Sequence, residues 1–331
     1  MNEQEYRAYN AINYSKLSTL DKDPINVNRE REISYSQIEG KALDTWMFDN
    51  ENFKNLFFIM PDNAILEDKP LQVFEILYEK FKGEEPSSQA VIEAAREADY
   101  YSNYKDEVKL YTKVWDTIKF YYNTVKEAGT KTKITNDTYE WCIDAGLELK
   151  SNFLTAKYFE STHPNVIITF QKPLIWKQVY SGTDVEEFKG LLDIEIRNDV
   201  EKWVRLVDLK KVGKKTFESD YYFWKYYLQE GLYKEGLKHT YPDYKVLESV
   251  FITAFRNDPA RPMAYYIREE QHQINCSGGL LTNGVSFKGV FQLVEDLLWH
   301  QNYDKWEYPK EVYELGGKYL NKLTNDIKND K

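Results

Sequence analysis

Two apolar runs joined by a short turn, GLLDIEI at 190–196 and KWVRLVDLKKVG at 202–213, constrain this chain more than any other stretch. Bounded by Gly190, Gly213 and the turn-forming Asn198-Asp199-Val200, they read as a pair of hydrogen-bonded strands. Side chains alternate along a strand, so Leu206, Asp208 and Lys210 share one face while Val207 and Leu209 share the other. By the same alternation Leu191, Asp193 and Glu195 share a face of the preceding strand. A half-buried sheet would normally place apolar residues at Asp193, Asp208 and Lys210. The D-x-K spacing instead aims a carboxylate and an ammonium at one place, with a second carboxylate on the adjacent strand. Two accounts fit. One is a structural acid–lysine pair across the strands. The other is a site for a hard divalent cation, Mg²⁺ or Mn²⁺, which takes one or two protein carboxylates; Asp193 and Asp208 would supply them, and the backbone carbonyl of Leu209 a further oxygen. The second account implies hydrolysis of a phosphodiester, with Lys210 orienting the water or offsetting charge at phosphorus.

The rest of the chain supplies a setting for such a hairpin. NAINYSKLSTLDKDP at 10–24 reads as a short helix closed by a proline, and SYSQIEGKALDTWMFD at 34–49 as a second, with Ile38, Ala42 and Trp46 on one face. NLFFIMP follows as a strand, and from about 66 to 160 the pattern is helical and charged, broken by Gly and Pro. Beyond His163-Pro164 come four strand-like runs, one long helix over 218–239, strands at 245–256 and 261–268, and further helices. This order predicts an α/β (α+β) fold with a mixed central sheet flanked by helices. Its parts are 1–65 and 161–331 as the core and 66–160 as a helical insertion.

Composition narrows the function classes. The N-terminus has no basic region followed by an apolar run, and no stretch approaches the roughly 20 apolar residues that span a bilayer. Cys142 and Cys276 are too few for a disulfide framework or a thiolate cluster, so a reducing cytoplasm is the expected compartment. A net charge of −10 opposes indiscriminate nucleic-acid binding but leaves room for a local basic patch, for which Lys211, Lys214 and Lys215 are candidates; lysines there also fit a solvated strand edge. The four histidines show no metalloprotease spacing, and Gly316-Gly317-Lys318 lacks the form of a phosphate-binding loop.

GLLDIEI followed by VRLVDLKKVG resembles the PD-(D/E)XK nuclease motif, in the version carried by RecE-type and lambda-type exonucleases and RecB-type nuclease domains. A Q-x-x-x-Y on the following helix belongs to the same group, and Gln229 and Tyr233 match it. INYSKLSTLDKDP and GKALDTWMFDNENFKNLFFIMP are similar to its N-terminal elements, so the resemblance covers roughly 10–61 and 165–270. It implies a three-layer, restriction-endonuclease-like core and a metal-dependent deoxyribonuclease, an exonuclease, with Asp193, Asp208 and Lys210 as catalytic residues and Gln229 and Tyr233 in support. Asp44 stands where the group usually has a metal-binding histidine, with Glu39 as the alternative third ligand, and Gln171 stands where related sequences often present an acid. The implied role is recombination, repair or processing of phage or bacterial DNA, with a single-strand annealing protein or a homo-oligomeric ring as possible assemblies. The rival is a scaffold of the same fold without catalysis, binding DNA or serving in virion assembly.

Overall fold

The computed structural model describes residues 3–29, 33–180, 184–213, 216–281 and 284–317. The chain divides into two compact units, Met1–Glu32 with Glu148–Lys331, and Ile33–Leu147. The fold is mixed α/β: a six-stranded mixed sheet flanked by helices.

In the first unit the sheet opens with a long antiparallel hairpin, Val166–Tyr180 against Asp184–Asn198. Asn198 starts the next turn, its Oδ1 accepting from the backbone N–H groups of Val200 and Glu201, both at 3.0 Å. The turn extends to Lys202, at φ +55°, and is therefore longer than the three residues the sequence suggests. The Trp203–Val212 strand then returns, but its ladder with 184–198 runs only from Asn198↔Trp203 to Ile194↔Val207. Past that point it pairs parallel with Ser249–Phe255, from Val207↔Val250 to Val212↔Phe255. A parallel pair needs a crossover, and the helix Tyr226–Thr240 lies in the intervening chain and packs against the sheet. Asp258–Ile267 closes the edge antiparallel to 249–255.

The core lies where helices cover the sheet. Leu174, Trp176, Phe188, Leu192, Leu206 and Phe251 meet Leu228, Leu232 and Leu237 of the 226–240 helix and Leu293, Val294 and Leu297 of the helix Val290–Tyr303. Each such side chain contributes about 1.5–3 kcal/mol by leaving water. Two differences from the sequence reading appear here. The helix expected over 218–239 is broken into Phe217–Phe223 and Tyr226–Thr240, with Lys225 left-handed at φ +62° and no glycine or proline at the break. The strand expected over 245–256 is two, Lys245–Val246 and Ser249–Phe255, because each pairs with a different part of the 203–212 strand.

The second unit has a core of its own. Leu110, Val114, Ile118 and Tyr122 recur every fourth residue on the helix Glu107–Ala128 and pack with Val73, Phe74, Leu77 and Val91 from the helices Asp68–Phe81 and Ser88–Glu97. Side-chain caps start these helices: Ser87 accepts from Ala90 N–H and Asp106 from Lys109 N–H. The helix Tyr35–Phe48, opened by a Ser34–Gln37 capping box, belongs to this unit. So does the expected strand at Phe57–Met60, which pairs parallel with Thr132–Thr135, a strand inside the stretch read as helical. Among the described residues no helix is long and apolar enough to cross a membrane.

Candidate functional site

The end of the ladder at Ile194↔Val207 sets the geometry of the site. Where 184–198 and 203–212 part, the Leu209 N–H no longer has a backbone acceptor on the neighbouring strand; the Asp193 carboxylate takes its place, Oδ2 accepting at 2.9 Å. Gln171 Nε2 donates to Asp193 Oδ1 at 3.3 Å, from a residue itself held at φ +49°. On the adjacent strand Asp208, 1% exposed, accepts from Gln229 Nε2 at 2.7 Å through Oδ1 and is ion-paired to Lys210 through Oδ2. Asp193 and Asp208 lie close enough to shift each other's titration. Each carboxylate thus receives one side-chain amide, and the Lys210 ammonium pairs with Asp208 within electrostatic reach of Asp193.

The electrostatics are those of two acids forced together out of water. Burial pushes the Asp208 carboxyl up to about 7, with Lys210 opposing the rise and Asp193 adding to it. Asp193 is raised as well, by burial first, against the pull of Lys210, the Leu209 N–H and Gln171. Burial alone would disfavour the Lys210 ammonium, but Asp208 and Asp193 hold its pKa above the ordinary lysine range. Lys210 Nζ also lies 5.0 Å from the centre of the Tyr226 ring and 3.4 Å from the Leu209 carbonyl oxygen. Tyr233 sits within electrostatic reach of Asp208, Lys210 and Asp193, with its ring against Gly190, where a Cβ would come within 2.8 Å of it.

The structure therefore brings together Asp193, Asp208, Lys210, Gln229 and Tyr233, and adds Gln171 as the amide on Asp193. Leu209 contributes its N–H to Asp193, while its carbonyl is approached by Lys210. Asp44 and Glu39 lie on the 35–48 helix of the second unit; Asp44 is half-buried, and Glu39 is buried with Thr138 Oγ1 at 3.5 Å. Lys211 is half-buried and alternates away from Lys210 along the strand, and Lys214 and Lys215 lie outside the described residues.

A second charged cluster escaped the sequence reading. On the 226–240 helix, Glu230 accepts from Ser249 at 2.8 Å and from Asn275 at 2.6 Å, and buried Lys234 pairs with Glu269 at 2.7 Å. From the helix Glu269–Ser277, His272 lies between Glu230 at 3.2 Å and Glu235 at 3.0 Å. Glu235, His272 and Cys276 each offer a ligand-type atom, all within 4.8 Å of one another. The Lys238 ammonium already stands among them, 2.8 Å from Glu235 Oε1 and 3.1 Å from His272 Nε2, so a cation is present without a metal. Three glutamates face two lysines and an imidazole, which makes this a charge-balanced network joining two helices. The i, i+4 pairs Glu230/Lys234 and His272/Cys276 were its available signal.

No family model and no curated protein matches the chain. Among solved structures it is similar to the protein SSO0001, at 15% identity and a TM-score of 0.27 over 76% of this chain and 92% of that one. It is also similar to a protein from Eubacterium rectale named "Putative exonuclease", at 11% identity and a TM-score of 0.37 over 83% of this chain and 100% of that one. At these scores neither likeness bears on function.

Proposed function

We propose that the chain is a metal-dependent deoxyribonuclease, an exonuclease, that hydrolyses DNA phosphodiester bonds at Asp193, Asp208 and Lys210. The observation that carries this reading is the meeting of two carboxylates and one lysine where the 184–198 and 203–212 strands part. The donor set fits a hard divalent ion: two buried carboxylates on adjacent strands, both pushed toward protonation by burial and Asp208 further by Asp193, would be relieved by a doubly charged cation. Asp193 and Asp208 would hold Mg²⁺ or Mn²⁺, which when bound supplies Lewis-acid polarisation of a phosphoryl oxygen. Gln171 and the Leu209 N–H fix the orientation of Asp193, and Gln229 that of Asp208. Lys210, kept protonated by both acids, directs its ammonium at the charge that grows on phosphorus as water attacks and the ester bond breaks. Recombination or repair of phage or bacterial DNA, beside a single-strand annealing protein, is the setting that belongs to this reading.

The test incubates purified protein with linear duplex and single-stranded DNA in Mg²⁺ or Mn²⁺. The wild type should release nucleotides, Asp208→Ala should lose about a thousandfold, and Lys210→Arg about a hundredfold, since a planar guanidinium does not replace a compact ammonium in this space. A wild type that cleaves nothing, or an Asp208→Ala protein that cleaves equally well, overturns the assignment and leaves the catalytically inactive scaffold.

A further inference from the structure

The break between the two helical pieces at 217–240 has no local cause in the sequence, and its consequence is a pair of aromatic rings in water. Phe223 and Trp224 end the first piece, 58% and 44% exposed, edge to face with ring centres 4.7 Å apart. Three ties from the helix Tyr14–Lys22 hold them there. Tyr14 Oη donates to the Trp224 carbonyl oxygen at 2.7 Å, Asp21 pairs with the left-handed Lys225, and Lys22 Nζ lies 5.4 Å from the centre of the Trp224 ring. An exposed corner serves packing equally well with polar side chains. This one keeps two large rings beside Lys225, whose left-handed backbone lysine disfavours, and the 14–22 helix ties the corner at Trp224 and Lys225.

Residues next to this corner reach the carboxylate site. Tyr226, two residues beyond Trp224, covers Lys210 at 5.0 Å, and Tyr14 lies within electrostatic reach of both Lys210 and Asp208. Rigid, exposed aromatic faces beside an ammonium are the chemistry that holds an unpaired base, by stacking and by cation–π attraction to the same ring.

Resting on the nuclease reading, we propose that Phe223 and Trp224 form a stacking platform for an unpaired nucleobase of the DNA strand being cleaved, so that the site takes single-stranded or frayed ends. The ties at Trp224 and Lys225 mean that little freedom is lost on binding, and Lys22 places a positive charge beside the Trp224 ring.

The experiment measures binding of the full-length protein to a short oligothymidylate and to an abasic strand of equal length, in EDTA so that no cleavage intervenes. Wild type should bind the base-bearing strand about tenfold more tightly than the abasic one. Trp224→Ala should lose that preference, with abasic binding unchanged, and Trp224→Phe should restore most of it. Tryptophan emission should fall on titration with oligothymidylate in the wild type and change less in Trp224→Phe. Because both rings are exposed, the variants should unfold at the wild-type denaturant midpoint, which a displaced helix would not. Equal affinity of the wild type for the two strands, no binding of either, or an undiminished preference in Trp224→Ala overturns the platform. Base-dependent binding without any Mg²⁺-dependent cleavage overturns the nuclease reading and leaves the platform standing.

Discussion

Gly190 and Tyr233 come from different elements and occupy one space. A Cβ on Gly190 would lie 2.8 Å from two carbons of the Tyr233 ring, and Gly190 has no unusual backbone angle, so what the position demands is room. The glycine of the G-x-x-D strand and the tyrosine of the Q-x-x-x-Y helix are therefore one contact, and it seats the helix that delivers Gln229 to Asp208. Gly190→Ala should destabilise the protein by about 1–3 kcal/mol by driving the ring off the strand. In a Tyr233→Ala background the same change should cost much less, because nothing remains to be displaced. Urea unfolding of the two single variants, the double variant and the wild type measures this coupling, expected at about 1 kcal/mol or more. Additive effects would mean that the ring and the glycine do not constrain each other.

At the scale of elements, the 226–240 and 269–277 helices are joined by charge as well as by apolar contact. Burial alone would push the His272 imidazole down, but its hydrogen bonds to Cys276, Glu230 and Glu235 outweigh this and raise it to about 11. Glu235 is the converse: burial would raise it, and His272 and Lys238 bring it down to about 2. The signs follow from linkage. The folded protein holds a proton on His272 that the unfolded chain releases near pH 6.5, so this group's contribution is complete below about 6.5 and is lost as pH rises toward 11. Glu235 contributes above about pH 4.5, and that contribution is lost as pH falls toward 2. His272→Gln should then be about 3 kcal/mol less stable than wild type at pH 6, since it leaves buried carboxylates without their partner, and the gap should shrink steadily by pH 10. Urea midpoints at pH 6, 8 and 10 for both proteins check this. A gap that is constant or widens with pH would show that His272 is neutral in the fold.

Over the whole molecule, what the sequence shows and what it conceals divide by range. The hairpin and the pairing of Asp208 with Lys210 follow from period-two alternation, a property of neighbours in the chain, whereas Gln229 and Tyr233 stand out only through the resemblance to a Q-x-x-x-Y helix. The break at Lys225 is concealed because Asp21 and Tyr14, far away in sequence, hold it. The His272 network is concealed because each helix carries ordinary i, i+4 spacings, and only their packing makes a cluster of them. The placement of the 35–48 helix and the Phe57–Met60 strand with the residues up to Leu147 is concealed for the same reason, since the strand's partner at Thr132–Thr135 lies beyond three intervening helices. This division has a thermodynamic consequence. Ile118 is wholly buried in a cluster drawn from residues 73–125 alone. Ile118→Ala should therefore destabilise that unit by about 2–5 kcal/mol through the cavity it opens. Hydrogen exchange reads the effect element by element: amides of the 107–128 and 68–81 helices should exchange faster, while those of the 203–212 and 249–255 strands keep their wild-type protection. If the strand amides accelerate by the same factor, the two units unfold as one, and the separate core at 73–125 is not an independent source of stability.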